Sequence, residues 1–328
     1  MNTKFSRTQI ILACSLFTSI ALLTFTLENN TDSSLSYRKI IQEDSASVFL
    51  VHNMALNLQN KYNDVLKTDK KIRILIIPGH EPNDGGAVYT NLKERDMTLS
   101  LGLDLAEYLK NDPHYEVVLT RDIHGWNPVF ENYFTSNKEG IANFVSIKKA
   151  AMDQSIAAGE VLKVDSGIEH IDALPDVAMR LFAINKWANE NNIDLMIHIH
   201  FNEYPRSHPK KPGKYTGFII YVPDPQYSNA KTTIEIANNI LPRLSSVFRV
   251  SNLPTESAGI VPEQRLIALG SDNTADMPSI LIEYGYIYDT LFATKAKRVS
   301  TLDTMAKETY LGIEDFFIGT TTINQAPN

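Results

Sequence analysis

Ile72-Arg73-Ile74-Leu75-Ile76-Ile77 is an almost unbroken aliphatic run, the pattern of a strand buried on both faces of a parallel sheet. Pro78-Gly79 ends it because the pair favours a turn. Apolar residues Leu99, Leu103, Leu105, Ala106 and Leu109 then recur along 94–110 and predict a helix, and 115–120 (YEVVLT) reads as a second strand. Strand, helix, strand in that order is a βαβ unit. Further strands are predicted over 194–200, 217–222, 265–269 and 278–283, with helices over 175–191, 228–248 (bent or broken at Pro242) and 301–317. This alternation predicts an α/β fold: a mostly parallel twisted sheet of about six strands with helices on both faces, its ligands bound beyond the carboxyl ends of the strands.

The flanks and one interior segment break the rhythm. Lys4 and Arg7 precede an uncharged apolar run over 10–27, and Glu28 and Asp32 follow it. That pattern predicts a membrane anchor or signal segment over 1–28, with the rest of the chain outside the cytoplasm. An uncleaved anchor is favoured over a secreted form, since no small-x-small cleavage site follows Leu23. Residues 29–70 are polar at first and then amphipathic over about 36–66, either a stalk or a helix packed on the domain. The catalytic domain is expected over 71–318, with an insertion at 123–174 that contains a helix over 138–158, and a polar tail over 319–328. A long insertion beside the active edge of a sheet is a candidate lid or recognition element.

Composition narrows the chemistry. The chain has 328 residues, of which 43% are hydrophobic and 21% charged, as in ordinary globular proteins. A net charge of -7 with no basic stripe argues against a nucleic-acid partner. The single cysteine, Cys14, lies in the N-terminal apolar run, so a transition metal in the folded part must be held by histidine and carboxylate.

Such a set is available. His80 follows the first strand, His200 and Glu283 end two later strands, and Glu94 opens a helix. Two histidines with a carboxylate, plus a spare carboxylate, suit a zinc ion and metal-assisted hydrolysis. Strand alternation puts His198 on the same face as His200, so either is a ligand candidate; His200 lies nearer the strand end, which leaves His198 a supporting or packing role. Asn202 is a candidate for orienting substrate or capping the loop. His52, His114, His124, His170 and His208 sit in no comparable pattern.

Five fragments in order carry a family resemblance: Pro78-Gly79-His80, Glu94-Arg95-Asp96-Met97-Thr98-Leu99, Leu119-Thr120-Arg121, Ile199-His200-Phe201-Asn202 and Met277-Pro278-Ser279-Ile280-Leu281-Ile282-Glu283-Tyr284-Gly285-Tyr286. The chain resembles the zinc-dependent N-acetylmuramoyl-L-alanine amidases of the Amidase_3 type. The resemblance implies one zinc ion held by His80, Glu94 and His200, with Glu283 as the catalytic carboxylate. It implies peptidoglycan as substrate and the bond between N-acetylmuramic acid and L-alanine as the one cleaved. Ile77 stands where the family often has aspartate, Glu81-Pro82-Asn83-Asp84 displaces the usual Gly-Gly, and His198 replaces a common serine. Those departures affect substrate contacts and leave the four chemical groups intact. Two other readings stay open: a zinc peptidase acting on envelope stem peptides, and a non-catalytic envelope-binding protein of the same fold. A regulatory protein acting on the 123–174 insertion is a further expected partner.

Overall fold

The computed structural model describes residues 45–319 apart from 84, 169 and 171. The expected membrane segment at 1–28, the start of the polar stretch after it and nearly all of the tail lie outside the described residues. Among the described residues no helix is long and apolar enough to cross a membrane.

The chain enters through helix α1 (Ser45–Thr68) and runs into strand β1 (Ile72–Pro78). A small hairpin, β2 (Val88–Tyr89) and β3 (Leu92–Lys93), leads to helix α2 (Glu94–Lys110) and strand β4 (Tyr115–Leu119). A second hairpin, β5 (Arg121–Asp122) and β6 (Gly125–Trp126), leads into the segment read as an insertion, which continues with helices α3 (Pro128–Ser136) and α4 (Lys138–Ala158). Then come helix α5 (Pro175–Glu190), strand β7 (Leu195–Asn202), strand β8 (Ile219–Pro223) and helix α6 (Ala230–Ser245). Strand β9 (Ile260–Glu263), strand β10 (Ser279–Tyr286) and helix α7 (Lys295–Ile318) complete the order.

Six strands form one sheet in the order β4-β1-β7-β10-β8-β9. The first four are mutually parallel, β8 is antiparallel to β10, and β9 is parallel to β8. From β1 the chain moves outward to β4 and then returns to the other side of β1 as β7. The connections after β1 and β7 therefore diverge, and a crevice opens between them at the carboxyl ends. His80 and His200 stand at that crevice.

One face of the sheet, with Ile72, Ile74, Ile76, Ile197, Ile199 and Ile282, is covered by α1, α2, α6 and α7. On the other, Leu75, Ile77 and Met196 pack against Ile184 and Trp187 of α5 and Phe130 of α3. Farther along that face, Ile219, Tyr221 and Leu281 are covered by Ile168 and the turn at Ala268-Leu269. Helices thus lie on both faces, but under β8 and β10 the cover is irregular chain. α1 packs on the domain: Ala55, Leu58, Tyr62 and Val65 are buried, Gln59 Nε2 donates to the Phe316 carbonyl at 2.8 Å, and Lys61 pairs with Asp194 at 2.5 Å.

One expected strand is corrected. Residues 267–269 form a 3-10 turn, and the edge strand is β9, just before it. Pro262 in β9 counts against a strand in sequence, yet an edge strand accepts proline because one row of its amides has no ladder partner. The turn closes on Gly270 at φ 82°, with the Ala275 Cβ 2.7 Å from where a side chain would begin.

Candidate metal centre

β1 delivers His80 through the Pro78-Gly79 turn, with His80 itself in the left-handed region at φ 69°. A non-glycine residue is held there only where its surroundings fix it, at a cost of about 1–3 kcal/mol. Those surroundings are on the chain. Arg121, 2% exposed, donates to the carbonyls of Pro78, Gly79 and Arg95 at 3.1, 2.8 and 2.8 Å and to Thr98 Oγ1 at 3.0 Å. Thr98 Oγ1 donates in turn to the Gly79 carbonyl at 3.0 Å. The turn before His80 and the first turn of α2 are thereby locked together. Burial among backbone carbonyls lowers the proton affinity of Arg121 to about 10, still charged at neutral pH. Beyond His80, Glu81 accepts from Arg180 of α5 at 2.8 Å.

Glu94 is the first residue of α2 and is buried. Its Oε2 accepts from the Ala87 amide at 2.8 Å and its Oε1 from the Phe201 amide at 3.0 Å. Burial pushes its pKa up, but contacts with His200 and His80 outweigh that and hold it below the ordinary carboxylate range. β7 supplies His200, whose ring lies directly over Gly79: a Cβ there would stand 2.4 Å from His200 Cε1. Glycine at that position is a steric requirement of the site. Burial lowers the His200 pKa despite the neighbouring carboxylate, which favours the neutral imidazole a metal binds.

One ligand atom from each of His80, Glu94 and His200 lies within 4.8 Å of the others. Glu94 Oε1 is 2.8 Å from His80 Nε2 and 3.2 Å from His200 Nδ1. Two atoms bound at 2.0–2.1 Å to a tetrahedral zinc ion stand about 3.3 Å apart, so the spacing fits. His80 Nε2 is enclosed and, although it lies this close to the carboxylate, finds no well-directed hydrogen-bond partner among the described residues.

Glu283 is the register partner of His200 across the β7–β10 pair. Its Oε2 is enclosed and has no hydrogen-bond partner among the described residues. Burial, then the charges of Glu94 and Glu256, raise its pKa well above the usual value. A carboxylate in such a place needs a cation nearby to stay ionised.

The four principal candidates thus come together. His198 does not join them: it is 1% exposed, neither ring nitrogen has a hydrogen-bond partner among the described residues, and burial followed by the charge of His200 lowers its pKa to about 3, so it packs as a neutral ring. Asn202 ends β7 and donates from Nδ2 to Glu256 Oε1 at 2.9 Å. Sequence reasoning missed the structural importance of Arg121, although its fragment was recognised, and missed Glu256 altogether; neither carries a periodic signal. α4 lies on α5, with Lys148 paired to Asp276 at 3.3 Å and Lys149 over the Phe182 ring. Among the described residues none of its hydrogen bonds or ion pairs reaches the four site residues, and the His80 and His200 side chains keep 26% and 21% exposure. The aromatic residues of α3 pack inward, with Phe130 4.6 Å from Trp187.

Comparison with known proteins follows the same lines. A family model described as N-acetylmuramoyl-L-alanine amidase (Amidase_3) matches residues 74–164 and 170–315, through most of the segment read as an insertion. The "Putative N-acetylmuramoyl-L-alanine amidase" of Buchnera aphidicola subsp. Acyrthosiphon pisum (strain APS) is 24% identical over 256 residues, covering 76% of this chain and 95% of that protein. The CwlD amidase of Clostridioides difficile, solved in complex with the GerS lipoprotein, has a similar fold: the TM-score is 0.51 at 18% identity, covering 76% of this chain and all of that one.

Proposed function

The chain belongs to the Amidase_3 family of N-acetylmuramoyl-L-alanine amidases, and we propose from that premise that it is a zinc-dependent enzyme cleaving the amide between N-acetylmuramic acid and L-alanine in peptidoglycan. His80, Glu94 and His200 would hold the ion, and Glu283 would handle the proton. The observation that carries the assignment is the convergence of three ligand atoms within 4.8 Å, beside an enclosed carboxylate oxygen with no hydrogen-bond partner.

When bound, zinc acidifies water toward a pKa of about 7 and polarises a carbonyl. The remaining work falls to the chain. The Ala87 and Phe201 amides fix both oxygens of Glu94 and would hold its carboxylate in one orientation toward a bound ion. Arg121 and Thr98 hold the turn that presents His80. Glu283 Oε2 accepts the proton of the attacking water and returns it to the departing nitrogen, which leaves as the amino group of L-alanine. The peptide is released from the glycan strand with its L-alanine intact.

Mass spectrometry of defined muropeptides tests the reading. The expected products are an intact stem peptide beginning with L-alanine and N-acetylmuramic acid with a free lactyl carboxylate. Cleavage within the stem makes the protein a peptidase instead. Glu283→Gln is expected to lower turnover by about 100-fold or more while retaining one zinc per chain by elemental analysis; unchanged turnover refutes its role. Residues 1–28 act in this proposal as an anchor that places the site outside the cytoplasm, next to its substrate.

A further inference from the structure

Glu256 lies in the connection between α6 and β9, 1% exposed, with no ion pair to a basic side chain among the described residues. Four neutral groups accommodate it: Ser251 Oγ and Tyr286 OH donate to Oε2 at 2.5 and 3.0 Å, and Tyr221 OH and Asn202 Nδ2 donate to Oε1 at 2.9 Å each. Burying a carboxylate beside a second one, Glu283, is unfavourable. A loop anchor made of apolar side chains would avoid that cost. What the carboxylate does that an apolar group cannot is orient Asn202.

A carboxylate accepts hydrogen bonds and cannot donate them, so Asn202 must turn its Nδ2 toward Glu256. The rest follows from the shape of an amide: Oδ1 faces the opposite way. It has no partner among the described residues and is not enclosed. Asn202 stands two positions beyond His200 on β7, hence on the same side of the strand, and β10 pairs Glu283 with His200 and Tyr286 with Asn202. An acceptor with fixed orientation thus borders the metal ligands and Glu283 at the open end of the sheet. The group it suits is an N–H donor; a substrate carboxylate would be repelled.

We infer that Asn202 is a substrate-positioning residue that accepts a hydrogen bond from an amide N–H of the substrate, and that Glu256 is the positioning residue that fixes the orientation of the Asn202 amide. The inference rests on the amidase reading and deepens it. Two amides of a muramoyl peptide offer such a donor: the backbone N–H of the second stem residue and the acetamido N–H of the sugar.

The test measures stem-peptide release by wild type, Asn202→Ala, Glu256→Gln and the double variant, on a muramoyl peptide and two analogues, one N-methylated at the second stem residue and one at the sugar acetamide. Asn202→Ala is expected to lower kcat/KM about tenfold, the usual weight of one neutral hydrogen bond, with zinc content unchanged. One analogue is expected to cost wild type a similar factor and Asn202→Ala almost nothing, which identifies the donor. Glu256→Gln is expected to lower kcat/KM in wild type but not further in Asn202→Ala, because the two residues act as one unit. If Glu256 served only to hold its loop, its substitution would cost the same factor in both backgrounds, and that result overturns its role. Equal sensitivity of wild type and Asn202→Ala to both analogues overturns the hydrogen bond, and does so even if Glu256→Gln fails to fold. If wild type releases no stem peptide at all, it is the amidase reading that fails.

Discussion

Arg121 shows how one side chain can set the geometry of a site it does not enter. Its guanidinium meets three backbone carbonyls and a hydroxyl, and removing the arginine would take a charged donor from each, leaving the Gly79 and Arg95 carbonyls only the Thr98 hydroxyl among side-chain donors. Charge-assisted hydrogen bonds of this kind contribute about 1.5–3 kcal/mol each before context. Arg121→Met retains apolar bulk and deletes the donors. The expected result is a 10–100-fold loss of zinc affinity, the usual effect of losing a group that orients a ligand, with a lower unfolding midpoint. Competition with a chelator measures the first quantity, and unchanged affinity would show that the turn before His80 holds itself. Gly79 acts at the same scale in the opposite sense, by having no Cβ under the His200 ring.

At the scale of elements, the return from α4 to α5 is tied to the end of β9 by Gln264, which bonds Val164 and Leu162, and by a buried carboxylate. Glu263, buried at 1% exposure, accepts from Ser166 and lies 3.2 Å from His170 Nε2, while its other oxygen accepts from the Gln264 and Arg265 amides at 2.9 Å. Burial pushes its pKa up, but His170, Ser166 and the Arg265 amide outweigh that and bring it down to about 2. A folded-state pKa below the unfolded value stabilises the fold at pH above the unfolded pKa, and that contribution is lost as pH falls toward the folded one. The window here lies between about 4.5 and 2, and the contribution is of the order of 3 kcal/mol at most. Wild type is therefore expected to exceed Glu263→Gln in urea midpoint by a margin that is constant above pH 5.5 and shrinks as pH drops toward 3. A margin independent of pH would assign the stabilisation to packing.

The periodic elements were readable because their signals are local. The 94–110 and 138–158 helices and the strand at 72–77 declare themselves within a few residues, and their observed ranges agree closely. The 265–269 strand did not form because Gly270 turns the chain there and β9 took the sheet edge. The four principal site residues were readable as residue types at element ends and through the family fragments. Glu256 was not, since its meaning depends on Asn202, 54 positions away, and on Tyr221, 35 positions away.

For the molecule as a whole, the sheet order determines where chemistry can occur. The reversal of strand order between the parallel β1 and β7 opens the crevice in which His80 and His200 face each other, and α2 brings Glu94 across from 106 positions earlier than His200. The proposed anchor at 1–28 lies outside the described residues. Deleting residues 1–28 is expected to move the protein from the membrane to the soluble fraction while its zinc content and release of stem peptide from soluble muropeptides persist. Retention of the shortened chain in the membrane fraction would place the anchor elsewhere.

The amino-acid sequence alone determined the helices and most of the strands, the kinds of ligand available and the family, because periodicity and short motifs act over a few residues. Only the tertiary structure decided that β8 and β9 run against the other four strands and that α1 packs on the domain. It also decided that Arg121 holds the turn before His80 and that Asn202 faces outward from a buried carboxylate. Each of those depends on which remote group satisfies a buried donor or acceptor, and that pairing exists only once the chain is folded.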